Sequence, residues 1–488
     1  MVQPNWILQR TKLSRDAIAL VDLHTQQSWT YRRLETEIMT WVDYLTTKQL
    51  KKGDRIVIVA SNRIELFPIL FACGLLGIIY VPLNNRLSSK ELEALMQDSG
   101  ASLLFYDDKC TSIVAKMQIY NKENLEHVKH YSYRNSFKGN IDNTDPWLII
   151  YTGGTTGKPK GVVLAHESIN ENAINTIVSW NLSKRDITIN YMPLFHTGGL
   201  NALCIPILMA GGTVIIGDEF DAEAALRATD EYQATISLFV PTMYHLMTQT
   251  SYFKQSTFPS MDVFLSGGAP CPTHIYKQFK QKGLAFKEGY GLTEAGPNNF
   301  FIQPELANKK VGSVGKSMLF NEIIVVSDDG KLTQPNEVGE LLIKGKHVFK
   351  FYWNLEAETK ATFSDGWLKT GDLAKYDEDG DFYIVGRKKD MIISGGENIY
   401  PQEIEQYLYN YETISEAAVI GVTDIKWGEI AVAFFSTTDG ASIQDQVLNA
   451  YCQQYLGKYK IPKKFIQLDN LPKTDVGKID KNKLKTFI

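Results

Sequence analysis

The chain has 488 residues, of which 44% are hydrophobic and 22% are charged, and its formal net charge is −4. At roughly 150 residues per domain, this length predicts about three structural units, and the balanced composition argues against extended disorder. The slightly acidic charge argues against a broad nucleic-acid-binding surface, so we expect small-molecule partners and no nucleic acid. Five cysteines are scattered without C-x-x-C pairing, which predicts neither a disulfide framework nor a zinc site and fits a cytoplasmic location.

Membrane and export signals are weak. The amino terminus lacks the basic and apolar regions of a signal peptide, so no export is expected. Two uncharged stretches, residues 66–83 and 198–217, approach the length of a membrane span, but prolines and glycines interrupt both. Each stretch is therefore predicted to form a buried helix, a tight turn and a strand, and no membrane span is expected.

The first hundred residues alternate between helical and strand patterns. Predicted helices cover residues 34–47, 65–76 and 88–97, and predicted strands cover residues 55–59, 77–81 and 101–106. This alternation predicts an α/β fold, with a parallel sheet covered by helices on both faces. Residues 107–145 lack periodicity and are predicted to be an irregular connector.

A glycine-rich run, residues 151–161 (YTGGTTGKPKG), follows the predicted strand 147–150. Its glycines and Pro159 exclude a regular helix or strand, so it is predicted to be a loop. Backbone N–H groups, threonine hydroxyls and lysine charges in one loop suit a polyphosphate. The run is not a P-loop, because Pro159 stands where that motif needs Ser or Thr. Taken alone, it could also be a flexible surface turn.

A second α/β run extends over residues 187–300. Glycine-containing turns follow its predicted strands at residues 266–270 (SGGAP) and 288–294 (EGYGLTE). Residues 193–201 are predicted to begin as a strand end and to continue as a helix through Met209. Since ligands gather at the carboxyl ends of parallel strands, these turns predict one cleft.

The remaining sequence predicts a β-rich subdomain at residues 311–350, a hairpin at residues 377–380 and a charged junction at residues 387–390. A helix at residues 401–409 and a strand at residues 417–422 follow. We therefore predict a domain at residues 1–386, a hinge at residues 387–390 and a small α+β domain at residues 391–488.

Five motifs in this order resemble the acyl-adenylate-forming (AMP-binding) superfamily, in its acyl-CoA synthetase branch. They are the glycine-rich run and residues 289–294 (GYGLTE), 370–372 (TGD), 386–390 (GRKKD) and 472–478 (PKTDVGK). The resemblance implies a large α/β amino-terminal domain with a β-rich subdomain, and a small hinged α+β carboxyl-terminal domain. It also implies ATP, Mg²⁺ and the co-substrate coenzyme A. A carboxylic acid and ATP would give acyl-AMP and pyrophosphate, and the CoA thiol would then give the thioester and AMP.

The resemblance assigns the nucleotide site residue by residue. The phosphate loop would comprise Thr152, Gly153, Gly154, Thr155, Thr156, Gly157, Lys158 and Lys160, with Gly153 in place of the family's usual serine. Glu294 would hold Mg²⁺ and Thr293 would contact the α-phosphate. The other nucleotide contacts would be Gly268, Ala269, Pro270, Tyr290 and Gly291 around the adenine, and Asp372 and Arg387 at the ribose. Considered singly, these residues could instead be a core tyrosine, a helix-capping glutamate and a surface ion pair.

The carboxyl-terminal motifs imply roles in both half-reactions. Lys478 would stabilise charge during adenylation, and Lys389 would be the hinge about which the small domain rotates. Gly395, Gly396, Glu397 and Trp427 would line the CoA channel. The basic residues Lys458, Lys460, Lys463 and Lys464 would either meet the CoA nucleotide or form a solvated face.

The implied acyl pocket comprises His196, Gly199, Leu200, Val240, Gly267 and Gly289. His196 resembles the family's aromatic gate, and no second histidine stands at metal-ligand spacing. An amino acid is not expected, since these segments offer no aspartate for an α-amino group. The pocket segments also contain no arginine for a second carboxylate, which favours a fatty acid over o-succinylbenzoate or another aryl acid. A carrier-loading adenylation protein is a rival, although no carrier domain follows, and a homodimer is a further expectation.

Overall fold

The computed structural model describes residues 3–119, 121–128, 140–153, 159–438, 440–474 and 477–488. In this part of the chain, three sheets with parallel strands, one antiparallel sheet and a separate carboxyl-terminal sheet are present. This architecture agrees with the predicted α/β class, with a β-rich region placed before the small last domain.

The first sheet has seven strands, in the order Phe351–Tyr352, Lys160–Ala165, Pro146–Thr152, Ile79–Pro82, Arg55–Val59, Leu103–Tyr106 and Lys122–Asn124. The last five of these strands run parallel, and the first two are added antiparallel. Alternate residues of Arg55–Val59 face opposite sides: Ile56 packs with the helices Tyr31–Thr47 and Leu66–Leu76, and Val57 packs with the helix Ser89–Ser99. The predicted cover of helices on both faces is therefore present.

Two further sheets lie side by side. The second has the order Ser28–Thr30, Ile18–Asp22, Thr213–Ile216 and Ile187–Asn190, and the third has Ile236–Phe239, Val263–Ser266 and Phe286–Glu288. The backbone N–H of Thr235 donates to the carbonyl of Ile187, which joins them. Helices Ala222–Glu231, Pro241–Gln249 and Thr273–Gln281 pack against the third sheet around an aromatic core that includes Tyr244 and Phe279.

The fourth sheet is antiparallel and forms the predicted β-rich region. Its order is Phe300–Phe301, Ser313–Ser317, Phe382–Arg387, Trp367–Tyr376, Gly339–Lys344 and Glu322–Val326, with Phe363–Ser364 also paired to Trp367–Tyr376. The predicted hairpin joins the two longest neighbours, so that Asp372 lies opposite Arg387.

The carboxyl-terminal residues build their own sheet, in the order Glu397–Ile399, Ile392–Ser394, Gly428–Thr437 and Ile414–Asp424, with Lys464–Gln467 on Gly428–Thr437. Helices Pro401–Tyr409, Asp445–Gln453 and Lys481–Leu484 cover it. Its two apolar clusters draw only on residues after Met391. A separate core of this kind is what an independently moving domain needs.

The other helices are Trp6–Leu13, Thr111–Val114, His166–Trp180, Thr197–Asn201, Cys204–Ala210, Ser251–Gln255, Pro304–Ala307 and Glu356–Thr362. Within the described residues, none of the helices has both the length and the apolar character needed to cross a membrane.

Two local predictions are wrong. The helix expected to run through Met209 is broken, because Leu203 leaves helical dihedral angles (φ −126°) and Pro206 has no N–H to continue the hydrogen-bond ladder. The expected connector is not entirely irregular: it contains the helix Thr111–Val114 and the strand Lys122–Asn124. That strand is polar and lies at a sheet edge, so no apolar alternation marks it in the sequence.

Candidate active site

One cleft of about 860 Å³ lies where the strands of the third sheet end, between the fourth sheet and the carboxyl-terminal domain. Its walls contain these predicted site residues: Thr152, Gly153, Lys160, His196, Val240, Gly267, Gly268, Gly289, Gly291, Thr293, Glu294, Arg387, Lys389 and Lys478. Seven separate segments of the sequence thus meet in one space. A glycine directly follows the strand end at Ser266 and another follows Glu288, so backbone rather than side chain faces the cleft there.

The two ends of the glycine-rich run are held together by strand pairing. Thr152 closes one strand, Lys160 opens the next, and the two residues are partners in the antiparallel register. Both line the cleft. Gly154, Thr155, Thr156, Gly157 and Lys158 lie outside the described residues, so their predicted phosphate contacts stay predictions.

Glu294 lies in the short turn Thr293–Ala295 and points its carboxylate toward the same end of the cleft. Its Oε1 accepts a hydrogen bond of 2.8 Å from the Tyr352 hydroxyl, and its backbone carbonyl accepts one of 2.8 Å from the N–H of Phe349. In the described residues, no hydrogen bond is made to Oε2. A lone carboxylate beside a phosphate loop fits Mg²⁺, because this ion takes its remaining ligands from phosphate oxygens and water.

Asp372 and Tyr290 lie behind the cleft wall and are connected to Arg387, which lines the cleft. Asp372 is 4% exposed, accepts a hydrogen bond of 2.5 Å from the Tyr290 hydroxyl and pairs with Arg387 Nε at 2.6 Å. Burial raises the pKa of Asp372, and the Arg387 guanidinium opposes this rise. Asp372 is thus no surface ion-pair partner, and Tyr290 is held at its hydroxyl. Ala269 and Pro270 line an adjoining cavity between the domains instead of the main cleft.

Lys478 enters the cleft from the carboxyl-terminal domain. A Cβ added at Gly268 would lie 3.5 Å from Lys478 Cε, an ordinary contact distance, so it is the φ of +82° that favours glycine at this position. Part of the Lys478 side chain faces the open cleft. Burial against the cleft walls and the positive charge of Arg387 lower the pKa of Lys478, and the negative charge of Asp372 opposes this shift. Asp475 and Val476 of the same motif lie outside the described residues.

His196 lies close enough to Lys478 for their charges to interact. Burial lowers the pKa of His196 to about 4, and the positive charges of Lys478 and Arg86 act in the same direction. The imidazole is therefore neutral near pH 7. A neutral ring suits a gate beside an apolar substrate better than a cationic ring.

The acyl side of the cleft differs in part from the predicted set. His196, Gly198, Val240, Gly267 and Gly289 line it, and a Cβ added at Gly198 would meet no atom within 4 Å, but Gly199 and Leu200 do not line it. A Cβ added at Gly199 would lie 2.2 Å from the Pro193 carbonyl oxygen, and Leu200 is 3% exposed in the core. The helix Thr197–Asn201 explains this, since with Gly198 toward the cleft the next two positions turn inward.

The predicted CoA-channel residues lie together but outside the cleft. Gly395 and Gly396 join two short strands, Glu397 begins the second, and Trp427 packs on the turn, where a Cβ added at Gly395 would lie 2.9 Å from its ring. Trp427 is 43% exposed. Of the basic residues named with them, Lys460 is paired with Glu403 at 2.7 Å.

Several cleft residues were missed by the sequence analysis: Met192, Leu238, Leu265, Asn298, Glu340, Tyr352 and Lys369. The leucines of the third sheet could have been found from strand alternation, since Leu238 and Val240 are two residues apart and share a face. No local sequence pattern identifies Tyr352 as a site residue, because its hydrogen-bond partner Glu294 is 58 residues away in the sequence.

Comparison with known proteins decides the identity. Residues 8–353 match the AMP-binding enzyme family, and residues 403–478 match the AMP-binding enzyme C-terminal domain. The chain belongs to the AMP-binding enzyme family. It is 34% identical to a feruloyl-CoA synthase of Amycolatopsis sp, over 99% of this chain and 98% of that protein. It is also 34% identical to the 2-succinylbenzoate–CoA ligase of Bacillus subtilis, with the same coverage.

Solved structures agree. The o-succinylbenzoate CoA synthetase of Bacillus subtilis, in complex with its acyl-adenylate intermediate, has a TM-score of 0.89 and 33% identity over 99% of this chain and 98% of that one. ATP-bound MatB of Rhodopseudomonas palustris has a TM-score of 0.91 and 28% identity, over 100% and 99%. The predicted fold class is confirmed, and the chain is an ATP-dependent acyl-CoA ligase that uses ATP, Mg²⁺ and CoA. The individual residue roles and the domain boundaries stay predictions.

Proposed function

We propose that this ligase activates a fatty carboxylic acid. The observation that carries the proposal is the acyl side of the cleft, where Met192, Leu238, Val240 and Leu265 present apolar side chains between glycines. The acidic residues among the described lining are Glu294 and Glu340, neither of which lies on the third sheet. An α-amino group would thus find no carboxylate on the acyl side, and an apolar chain would displace water from apolar walls.

In the first half-reaction, a carboxylate oxygen of the acid attacks the α-phosphorus of ATP, and the bond to the β-phosphate oxygen breaks to release pyrophosphate. Lys478 would stabilise the charge shared by the acyl carboxylate and the α-phosphate, and Lys160 would hold the leaving phosphates. Asp372 would accept hydrogen bonds from the ribose hydroxyls. Mg²⁺ held at Glu294 would neutralise phosphate charge when bound.

In the second half-reaction, the thiolate of CoA attacks the acyl carbon and AMP leaves. We propose that the carboxyl-terminal domain first rotates at Lys389, which lines both the main cleft and the adjoining cavity between the domains. The rotation would withdraw Lys478 and bring Gly395, Gly396 and Trp427 to the cleft. Separate cores in the two parts of the chain support such a movement.

An aryl acid is the second candidate. Arg86 adds positive charge near His196, although it lies outside the segments considered for the pocket from sequence. A cation there would favour an acid with a second carboxylate, such as the o-succinylbenzoate used by one relative. Flat glycine walls at Gly267 and Gly289 would also accept a planar ring.

A substrate panel tests the proposal. AMP release is measured with ATP, Mg²⁺ and CoA for medium- and long-chain fatty acids, o-succinylbenzoate and ferulate. We expect the fatty acids to give the largest kcat/KM, and Gly198→Val, which fills open space in the acyl side, to lower their turnover without changing the KM for ATP. A far larger kcat/KM for o-succinylbenzoate would overturn the preference. Acyl-AMP formation without transfer to free CoA would instead indicate a carrier-loading protein.

Two further expectations belong with this proposal. A cytoplasmic location is supported by the five unpaired cysteines, all of them buried. A homodimer is proposed without a structural observation of its own, and light scattering of the purified chain would decide between a monomer and a dimer.

A further inference from the structure

Tyr352 lies between two groups of the site that come from different segments. Its hydroxyl donates a hydrogen bond of 2.8 Å to Glu294 Oε1, and the Nζ of Lys160 lies 5.1 Å from the centre of its ring. The side chain is 8% exposed and lines the cleft. One residue thus contacts both the candidate metal carboxylate and the lysine that ends the phosphate loop.

The backbone around Tyr352 is fixed at several points. The two-residue strand Phe351–Tyr352 pairs with Val163 and Val162, which belong to the strand that Lys160 begins. The N–H of Trp353 donates to the Gly161 carbonyl at 2.7 Å. The N–H of Tyr352 donates to Thr359 Oγ1 at 2.9 Å. Because the short strand pairs with the strand that follows the phosphate loop, the backbone holds the tyrosine ring beside Lys160.

The same segment also supports the Glu294 turn. The N–H of Phe349, three residues before Tyr352, donates to the Glu294 carbonyl, so backbone and side chain of the glutamate are both held from residues 349–352. A hydroxyl donor on Oε1 orients the carboxylate and leaves Oε2 toward a ligand. Hydrogen bonds that orient a metal ligand in this way strengthen metal binding.

We propose that Tyr352 is a positioning residue for the Mg²⁺·ATP complex: its hydroxyl orients Glu294 for the cation, and its ring places Lys160 for the phosphates. The inference rests on the proposed function. A purely structural tyrosine would stabilise the fold but would not change the way in which ATP affinity depends on Mg²⁺, and this difference can be measured.

The test is calorimetric titration of the full chain with ATP, with and without Mg²⁺, which requires no acid substrate. For the wild-type chain, Mg²⁺ should increase the ATP affinity. In Tyr352→Phe, which keeps the ring and loses the hydroxyl, we expect this increase to fall about tenfold, the lower end of the effects known for such supporting residues. Tyr352→Leu should also weaken binding of ATP without Mg²⁺, because the ring beside Lys160 is lost as well.

Tyr376→Phe is the matched control, since its hydroxyl donates to the Thr333 carbonyl at 2.6 Å in the fourth sheet and lies outside the cleft lining. It should keep the full Mg²⁺ effect. If Tyr352→Phe does not fold, judged by thermal unfolding without ligand, Thr359→Val should loosen the same strand and lower the Mg²⁺ effect by a smaller factor. An unchanged Mg²⁺ effect in Tyr352→Phe would overturn the role of Tyr352 alone. Failure of the wild-type chain to bind ATP would overturn the proposed function and this role together.

Discussion

Lys478 and Trp427 belong to the same small domain, yet they lie in opposite environments. Lys478 reaches the cleft beside Gly268, whereas Trp427 lies with Gly395 at the surface and is 43% exposed. Both were predicted to serve one reaction sequence. A single rigid orientation cannot place both at the substrate, and under the proposed mechanism the orientation with Lys478 in the cleft would be the one that forms acyl-AMP.

Polar contacts between the domains hold this orientation. Thr273 Oγ1 donates to Asn410 Oδ1 at 2.7 Å, and Gln406 Nε2 donates to the Cys271 carbonyl at 3.4 Å. Hydrogen bonds of this kind contribute roughly 1 kcal/mol each, because water replaces them when they break. Contacts of this strength are compatible with the proposed rotation of the small domain.

Among the tests of the contrast between Lys478 and Trp427, the largest change in activity is expected from Lys478→Ala. Loss of a charge aimed at the reacting oxygens should lower acyl-AMP formation, measured by pyrophosphate exchange, by about a hundredfold or more. Thioester formation from supplied acyl-AMP should be nearly unchanged. Lys483→Ala removes an exposed lysine that lies 3.9 Å from Asp480 on the same domain and should leave both half-reactions intact. Equal loss of both half-reactions in Lys478→Ala would contradict the two-orientation mechanism.

The opposite pattern is expected for Trp427→Ala. The KM for CoA in the thioester step should rise about tenfold, since an aromatic contact with a ligand contributes about 1.4 kcal/mol. Pyrophosphate exchange should stay at the wild-type rate. Tyr459→Ala, at another exposed aromatic residue of the same domain, is the control. A defect confined to pyrophosphate exchange in Trp427→Ala would contradict the proposed role of Trp427 in CoA binding.

The smallest expected effect is on the pH dependence of adenylation. Only the protonated Lys478 stabilises negative charge, so adenylation should be full below its pKa and should decline as the pH rises through it. Because burial and Arg387 lower this pKa, the decline should occur below the ~10.4 of an ordinary lysine. Pyrophosphate exchange from pH 7 to 10 measures it. Lys478→Arg should shift the decline upward, and an unshifted decline would assign it to another group.

The sequence correctly predicted the helices and strands whose ends or composition follow a local sequence rule. The helix Pro401–Tyr409 begins at its proline as expected, and the helix Leu66–Leu76 ends before Gly77 in the left-handed conformation, φ +69°. The strands of the parallel sheets followed from short apolar runs. Each of these signals lies within the element that it predicts, which is why a single sequence was sufficient.

The site was predictable as a set of turns but not as a set of contacts. Gly199 was expected in the acyl pocket from the family resemblance, but it lies one position after Gly198 on a short helix, which is enough to turn it into the core against Pro193. Arg86 was not considered, although its charge acts on His196 from a distant segment. Sequence proximity gave no information on either point, because side-chain direction depends on how the helix is packed.

By itself, the sequence determined the family and the reaction type and predicted the segments that would meet the nucleotide, since the glycine-rich run and the four later motifs are local patterns with defined chemistry. Tertiary structure alone decided that the ends of that run are paired strands, that Tyr352 joins Lys160 to Glu294, and that Lys478 rather than Trp427 faces the cleft. Apart from the pairing of Thr152 with Lys160, these are relations between segments tens to hundreds of residues apart. They depend on sheet register and domain orientation, which no local pattern encodes.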